Sequence, residues 1–278
     1  MAYTIGIDLG GTATKLVACA AGGSPVAWGK LSTRPEPGFA AQAASDFLAG
    51  QGIGREEVEC IVLTGVRTSF LTQPLLGLPT YTVPEFGAIG WGGLAASGLK
   101  RALVASMGTG TALVLAGPEG CTHLGGSGIG GGTLCGLGQL LLGERDGERI
   151  GQLAAQGRPE KVDLLMRDIC RADIPTLQPE LTAANFGKLD PEASRADLAL
   201  GLVTMILQSV GCQAAFAARG IPIQDIVLTG ALTLLGQSGE MFAFMGEMFG
   251  LRFHIPARAE FATALGSVLC PQRVWPPV

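Results

Sequence analysis

Short apolar runs interrupted by glycine and threonine set the rhythm of this chain. Residues 3–8 and 13–20 are apolar and β-prone on either side of Gly10-Gly11-Thr12, and residues 102–106 and 112–116 repeat the pattern around Gly108-Thr109-Gly110. Each unit reads as two strands joined by a tight hairpin whose backbone N–H groups can close around an oxyanion. Residues 39–52 have the Ala-rich periodicity of a helix, and 60–64 is a short strand ending at Gly65. Residues 87–99 read as helical in spite of their glycines. Further on come a glycine run, several helices, a strand at 226–229, a last strand near 251–255 and a helix near 263–269.

The restart at residue 102 places a domain division there, with residues 1–101 and 102–278 as two related halves. Strand-hairpin-strand units followed by helices predict an α/β fold with a cleft between the halves. Residues 198–218 carry no charge and are long enough to span a bilayer. Gln208, Ser209 and Gln213 nevertheless cluster at helical spacing, and Asp197 and Arg219 close the ends, which predicts a buried helix with one polar edge.

Composition narrows the partners. Charged residues make up 15% of the 278 positions and the net charge is −4. Nothing here builds the basic field of a nucleic-acid or anionic-membrane binder, so small molecules are the expected partners. The seven cysteines are odd in number and form no C-x-x-C pair, against a disulfide framework or zinc knuckle. Met1 leads straight into a strand-like run without a basic n-region. No signal peptide is expected from it, and a reducing cytoplasm is the expected location.

Three places carry candidate chemistry. Asp8 is the only charged residue before Lys15 and ends a strand beside two glycines. A carboxylate there can hold Mg²⁺, or it can act as a turn residue bonding its own backbone. Residues 125–133 hold six glycines and lead into an apolar stretch, as in a glycine loop at a helix N-terminus that suits the anionic part of a nucleotide. The match of Gly126, Gly128 and Gly131 to a dinucleotide fingerprint lacks its βαβ context, and no Walker A lysine follows. Glu85 is the only charged side chain between Arg67 and Lys100 and lies in an apolar run. It is either a general base with a raised pKa or a helix-start glutamate favoured by the helix dipole.

Together, Asp8-Leu-Gly-Gly-Thr-Ala-Thr-Lys15, Val83-Pro-Glu85-Phe, Met107-Gly-Thr-Gly-Thr111, the glycine run continuing to Gly138, and Leu181-Thr-Ala-Ala-Asn-Phe-Gly187 resemble the type II pantothenate kinases. The resemblance runs in order through nearly the whole chain. It implies a duplicated actin-like, ribonuclease H-like two-domain fold with an ATP cleft between the domains. It also implies a cytoplasmic homodimer that uses ATP and Mg²⁺ to phosphorylate the primary hydroxyl of pantothenate, the first committed step toward coenzyme A, with a CoA thioester as possible feedback ligand.

Carried over by position, the resemblance puts ATP on Asp8, Gly10, Gly11, Thr12, Lys15 and Thr109. It adds Gly131, Gly132, Thr133, Leu134 and Cys135, and Ala231 after the 226–229 strand. Asp8 falls on the metal position, Glu85 on the catalytic base, and Glu85 and His123 on the substrate side. His123 stands where the family has an arginine. An always-charged fork is thus replaced by a shorter ring that is mostly neutral at pH 7. A related pantoyl-like alcohol such as pantetheine is therefore an alternative acceptor, with Arg67 or Arg145 covering the substrate if His123 only bonds within its loop. A catalytically weak nucleotide or acyl-CoA sensor, a protein-partner ATPase switch and a cluster-bearing ATPase using Cys135 are further readings of the same fold.

Overall fold

A computed structural model of the chain describes residues 2–36, 38–71, 73–170 and 178–274. The first half forms β1 (Tyr3–Leu9), β2 (Ala13–Cys19), β3 (Pro25–Ser32), α1 (Phe39–Gln51), β4 (Val58–Thr64), β5 (Thr80–Thr82) and α2 (Glu85–Ser97). The second begins with β6 (Ala102–Met107), β7 (Thr111–Gly117), β8 (Gly120–Ser127), α3 (Gly131–Leu142) and α4 (Gly147–Ala154). It continues with β9 (Leu164–Leu165), α5 (Met166–Ile169), β10 (Thr182–Ala184), α6 (Arg195–Ala218), β11 (Asp225–Thr229), α7 (Ser238–Phe249), β12 (Arg252–His254) and α8 (Ala262–Leu269).

The first sheet has the order β3-β2-β1-β4-β5, and the second, read from its far edge, β8-β7-β6-β11-β12. In both, the first three strands in sequence are antiparallel neighbours and the last two run parallel to the first. The two halves are therefore one topology used twice, with the strand arrangement of the actin-like fold. Sequence reading missed β3, an edge strand that is only half buried and lacks a clean two-residue alternation.

Pleating gives each sheet two apolar faces. Ile5, Ile7, Leu16, Ile61 and Leu63 pack under α1, while Leu103, Ala105, Met107, Ile226 and Leu228 pack under α3, α4, α6 and α7. Helix α6, apolar and long enough to cross a membrane, is a core helix of this second cluster, with Leu202, Val203, Ile206, Leu207 and Val210 buried in it.

The opposite faces turn toward each other across α2 and α8. Helix α2 follows the first sheet yet packs Ile89 and Leu94 on Val104, Val114 and Val227 of the second. Helix α8 follows the second sheet yet packs Ala264, Leu265 and Val268 on Val17 and Cys19 of the first. The helices touch backbone to backbone: a Cβ on Gly92 would overlap the Ala262 carbonyl, and one on Gly266 would overlap the Ala88 carbonyl. Two small residues at each crossing point allow an approach that larger side chains forbid.

Candidate functional site

The inner faces of both sheets end in polar residues at matching places. Alternation along β1 sends Ile5 and Ile7 outward under α1, so Gly6 and Asp8 face inward, and the same rule brings Ser106 inward on β6. Their neighbours in register are Thr64 on β4 and Thr229 on β11. Each of these threonines is followed by a glycine with positive φ, Gly65 at 101° and Gly230 at 92°. Each glycine lies flat on the backbone of the adjoining strand end, Leu9 or Met107, where a Cβ would collide. Left-handed backbone and close approach together require glycine at both positions.

Asp8 and Lys15 face each other across β1 and β2, with Nζ 3.2 Å from Oδ2, and both are buried. The Asp8 carboxylate therefore takes an ammonium partner instead of bonding its own turn. Burial pushes its pKa above the ordinary carboxylate value, and Lys15 pulls against that rise. The hairpin beyond is braced from β3's end: Thr33 Oγ1 donates to the Gly10 carbonyl at 2.9 Å and lies 2.8 Å from Thr14 Oγ1. Thr33 was not legible in the sequence, since its role depends on a strand pairing across some twenty residues.

The two hairpin tips meet. Thr12 Oγ1 and Thr109 Oγ1 are 3.1 Å apart, and a Cβ on Gly11 would sit 3.3 Å from Thr109 Oγ1. The backbone N–H groups of Gly11, Thr12, Gly108 and Thr109 donate to no carbonyl among the described residues. A Cβ on Gly10 would stand 2.7 Å from the Ala13 carbonyl oxygen and 3.5 Å from Lys15 Nζ, so only glycine lets the hairpin close this tightly beside the ammonium.

The glycine run leads into a helix N-terminus, as the sequence reading expects, and its first part belongs to a strand. Gly125, Gly126 and Ser127 finish β8, and helix α3 starts only at Gly131. The N–H of Gly131 donates to the Gly108 carbonyl and that of Gly132 to the Thr109 carbonyl, each at 2.8 Å. These two amides hold the second hairpin against the helix, so they are occupied in this structure. Thr133 Oγ1 accepts from Gly130 N–H and donates to the Gly128 carbonyl. Leu134 is buried in the core under α3, whereas Cys135 is only partly covered. Ala231 starts the short turn Ala231–Leu234 just after Gly230, beside Met107.

Glu85 is the first residue of α2, half buried, with Pro84 before it. Thr64 Oγ1 donates to the Val83 carbonyl at 3.2 Å and Val83 N–H to the Leu63 carbonyl at 2.9 Å, which ties the start of α2 to the strand beside Asp8. Burial raises the Glu85 pKa first, the Asp8 charge raises it further, and Lys15 opposes both. The next residue, Phe86, stacks on His123 from edge strand β8, with centroids 3.7 Å apart and planes 5° from parallel. Phe86, which the sequence reading did not single out, therefore fixes the His123 ring. Arg67 donates to the Arg34 carbonyl at 3.2 Å, and Arg145 lies near Cys135 at the far end of α3. The structure thus gathers Asp8, Lys15, the two hairpin tips and Glu85, with His123 beside Glu85's helix.

Comparison with known proteins adds three findings. The Fumble family model matches residues 101–241, which include the second hairpin, His123 and α3. A protein of Oceanobacillus iheyensis named type II pantothenate kinase is 36% identical over 176 residues, covering 60% of this chain and 65% of that protein. The match thus spans just under two thirds of that relative's length. A Staphylococcus aureus protein of the same name is 28% identical over 188 residues, 64% of this chain and 70% of that one. Among solved structures, the activator of the 2-hydroxyisocaproyl-CoA dehydratase from Clostridium difficile, with bound ADPNP, superposes with a TM-score of 0.69. It is 16% identical and covers 96% of this chain and 93% of that one, a likeness of fold.

Proposed function

The chain belongs to the Fumble family, and from that premise we propose that it is a pantothenate kinase, transferring phosphate from ATP to the primary hydroxyl of pantothenate in the first step toward coenzyme A. The observation that carries this reading is the meeting of two glycine-threonine hairpins over a buried Asp8–Lys15 pair, with a half-buried Glu85 within reach of both charges. Two curated relatives that bear the name type II pantothenate kinase support it.

The donor set fits Mg-ATP. Unbonded hairpin amides, the Lys15 ammonium and two threonine hydroxyls suit phosphate oxygens. No group of three or more His, Cys, Asp and Glu side chains lies together among the described residues. A lone carboxylate, Asp8, matches the habit of Mg²⁺, which takes one or two carboxylates and completes its shell with phosphates and waters. When bound, Mg-ATP supplies a γ-phosphoryl group whose negative charge is partly neutralised.

The chain's own residues do the remainder. Lys15, Gly10, Gly11, Thr12 and Thr109 orient the phosphates and hold their charge, and Ala231 and residues 131–135 border the nucleotide. Glu85 accepts the proton of the attacking hydroxyl, which sharpens the oxygen as it bonds to phosphorus. Positioning and electrostatics supply most of the acceleration. The halves 1–101 and 102–278 close on the substrate and exclude water that would hydrolyse ATP. His123, held by Phe86, lines the acceptor side. A cytoplasmic homodimer and a CoA thioester as feedback ligand complete the reading.

ADP release with Mg-ATP against pantothenate, pantetheine, pantoate, simple sugars and no acceptor tests it. Pantothenate-dependent turnover is expected. Turnover only with pantetheine makes that alcohol the acceptor and means that the pocket has changed with His123, and turnover that is absent or ignores every acceptor refutes the kinase reading.

The pH profile follows from Glu85. A base works deprotonated, and burial with the Asp8 charge holds its proton on. The acid limb of kcat/KM is therefore expected above the ordinary glutamate range. Replacing Asp8 by Asn removes a like charge, so whatever activity survives should keep its acid limb at lower pH. A limb that stays fixed or moves upward would contradict the coupling.

A further inference from the structure

A cavity of about 690 Å³ lies at the opposite end of the second sheet from the hairpin tips. Arg101 precedes β6 and Asp225 opens β11, whereas Gly108 and Gly230 follow the other ends of the same strands. Six residues of β6 at about 3.3 Å each separate the two places by roughly 20 Å. The cavity is thus distinct from the candidate site.

Its floor is apolar, with Ile223 and Phe249, and its rim carries Arg101, Arg219 and Arg252 beside one carboxylate, Asp225. The charged groups of the lining sum to +2 on a chain of net charge −4. Arg252 is engaged with Asp225 through two 2.7 Å contacts, and His254 Nε2 lies 2.8 Å from the same carboxylate. This clasp satisfies Asp225 and keeps it ionised, its pKa lowered to about 2. Arg101 meets Glu119 at 3.0 Å, but both side chains are about half exposed, and such pairs hold weakly. Arg219 lies over the Phe216 ring, 5.2 Å from its centroid, and has no carboxylate partner among the described residues.

We propose that this cavity binds a small phosphate monoester with an apolar body. Two guanidinium groups with exchangeable or absent partners match a dianionic phosphate, because the planar fork of arginine fits its oxygens and is weakly hydrated. The apolar floor takes the body of the ligand, in a volume typical of small-molecule sites. An inorganic ion alone would leave that floor wet, and a neutral apolar molecule would leave the guanidinium groups unused.

Calorimetry on the full chain with n-hexyl phosphate, inorganic phosphate and n-hexanol tests the site. Saturable binding of hexyl phosphate is expected, about tenfold or more tighter than either half-ligand and weakened about tenfold by R219A and by R101A. Both variants lie outside the candidate site, so ADP release should be unchanged and reports that they are folded. The proposal is overturned by three results: no saturable binding at millimolar concentrations, binding indifferent to both substitutions, or inorganic phosphate binding as tightly as the ester.

Discussion

Replacing Glu85 by Gln is expected to lower turnover with pantothenate by about 10²–10⁴-fold, the range for loss of a general base, or about 3–5 kcal/mol of activation free energy. Gln keeps the size and the helix-starting position of Glu85 but offers no carboxylate to take the hydroxyl proton. ATP affinity should hold, because the groups we propose for the phosphates lie on the hairpins and not on α2. The sign of the stability change separates this outcome from misfolding. Burial and Asp8 both disfavour the charged form of Glu85. A neutral side chain relieves that cost, so the midpoint of thermal unfolding should stay level or rise. Near-normal turnover with a level midpoint would remove Glu85 from the reaction, whereas a large drop in midpoint would make it structural.

The second large effect is at the crossing of the two exchanged helices. Gly266→Ala adds a Cβ that overlaps the Ala88 carbonyl and approaches the Gly92 amide, and neither backbone group can swing aside as a side chain would. A loss of about 3 kcal/mol or more is expected, at the upper end for overpacking. For a chain of this size that corresponds to a fall in Tm of roughly 6–12 °C. The same exchange at Gly50, in α1 with open space around its position, should raise stability by up to about 1 kcal/mol, as alanine is the better helix former. Because α2 begins with Glu85, the Gly266 variant should also lose activity out of proportion to the fraction unfolded. Equal, small Tm changes in both variants would show that α2 and α8 can part without cost.

Much of this architecture was written locally. The two hairpins, the strands at 60–64 and 226–229, the helix after Pro84 and the buried helix through 198–218 lie where alternation, glycine and proline placed them, within two or three residues. A strand pair with a tight turn needs only neighbours in sequence, so its signal survives without the rest of the chain. The glycine run was harder to divide. Its first part completes β8 and its last part enters α3, because strand pairing with β7 and hydrogen bonds to Gly108 and Thr109 choose between conformations that glycine permits equally.

What the sequence by itself determined was an inventory: two oxyanion-ready hairpins, a carboxylate and a lysine flanking the first, a solitary glutamate, and the duplication that relates the halves. Only the tertiary structure decided how these are used. It set Thr12 against Thr109, turned Asp8 toward Lys15, tied Glu85's helix to β4, and laid Phe86 on His123. It also sent α2 and α8 each onto the other half's sheet, through contacts between residues far apart in the chain. The physical reason is the range of the interactions. Turn and strand preferences act over a few residues, whereas a carboxylate's protonation, a hydroxyl pair or a helix crossing depends on what burial brings near, which no local pattern records.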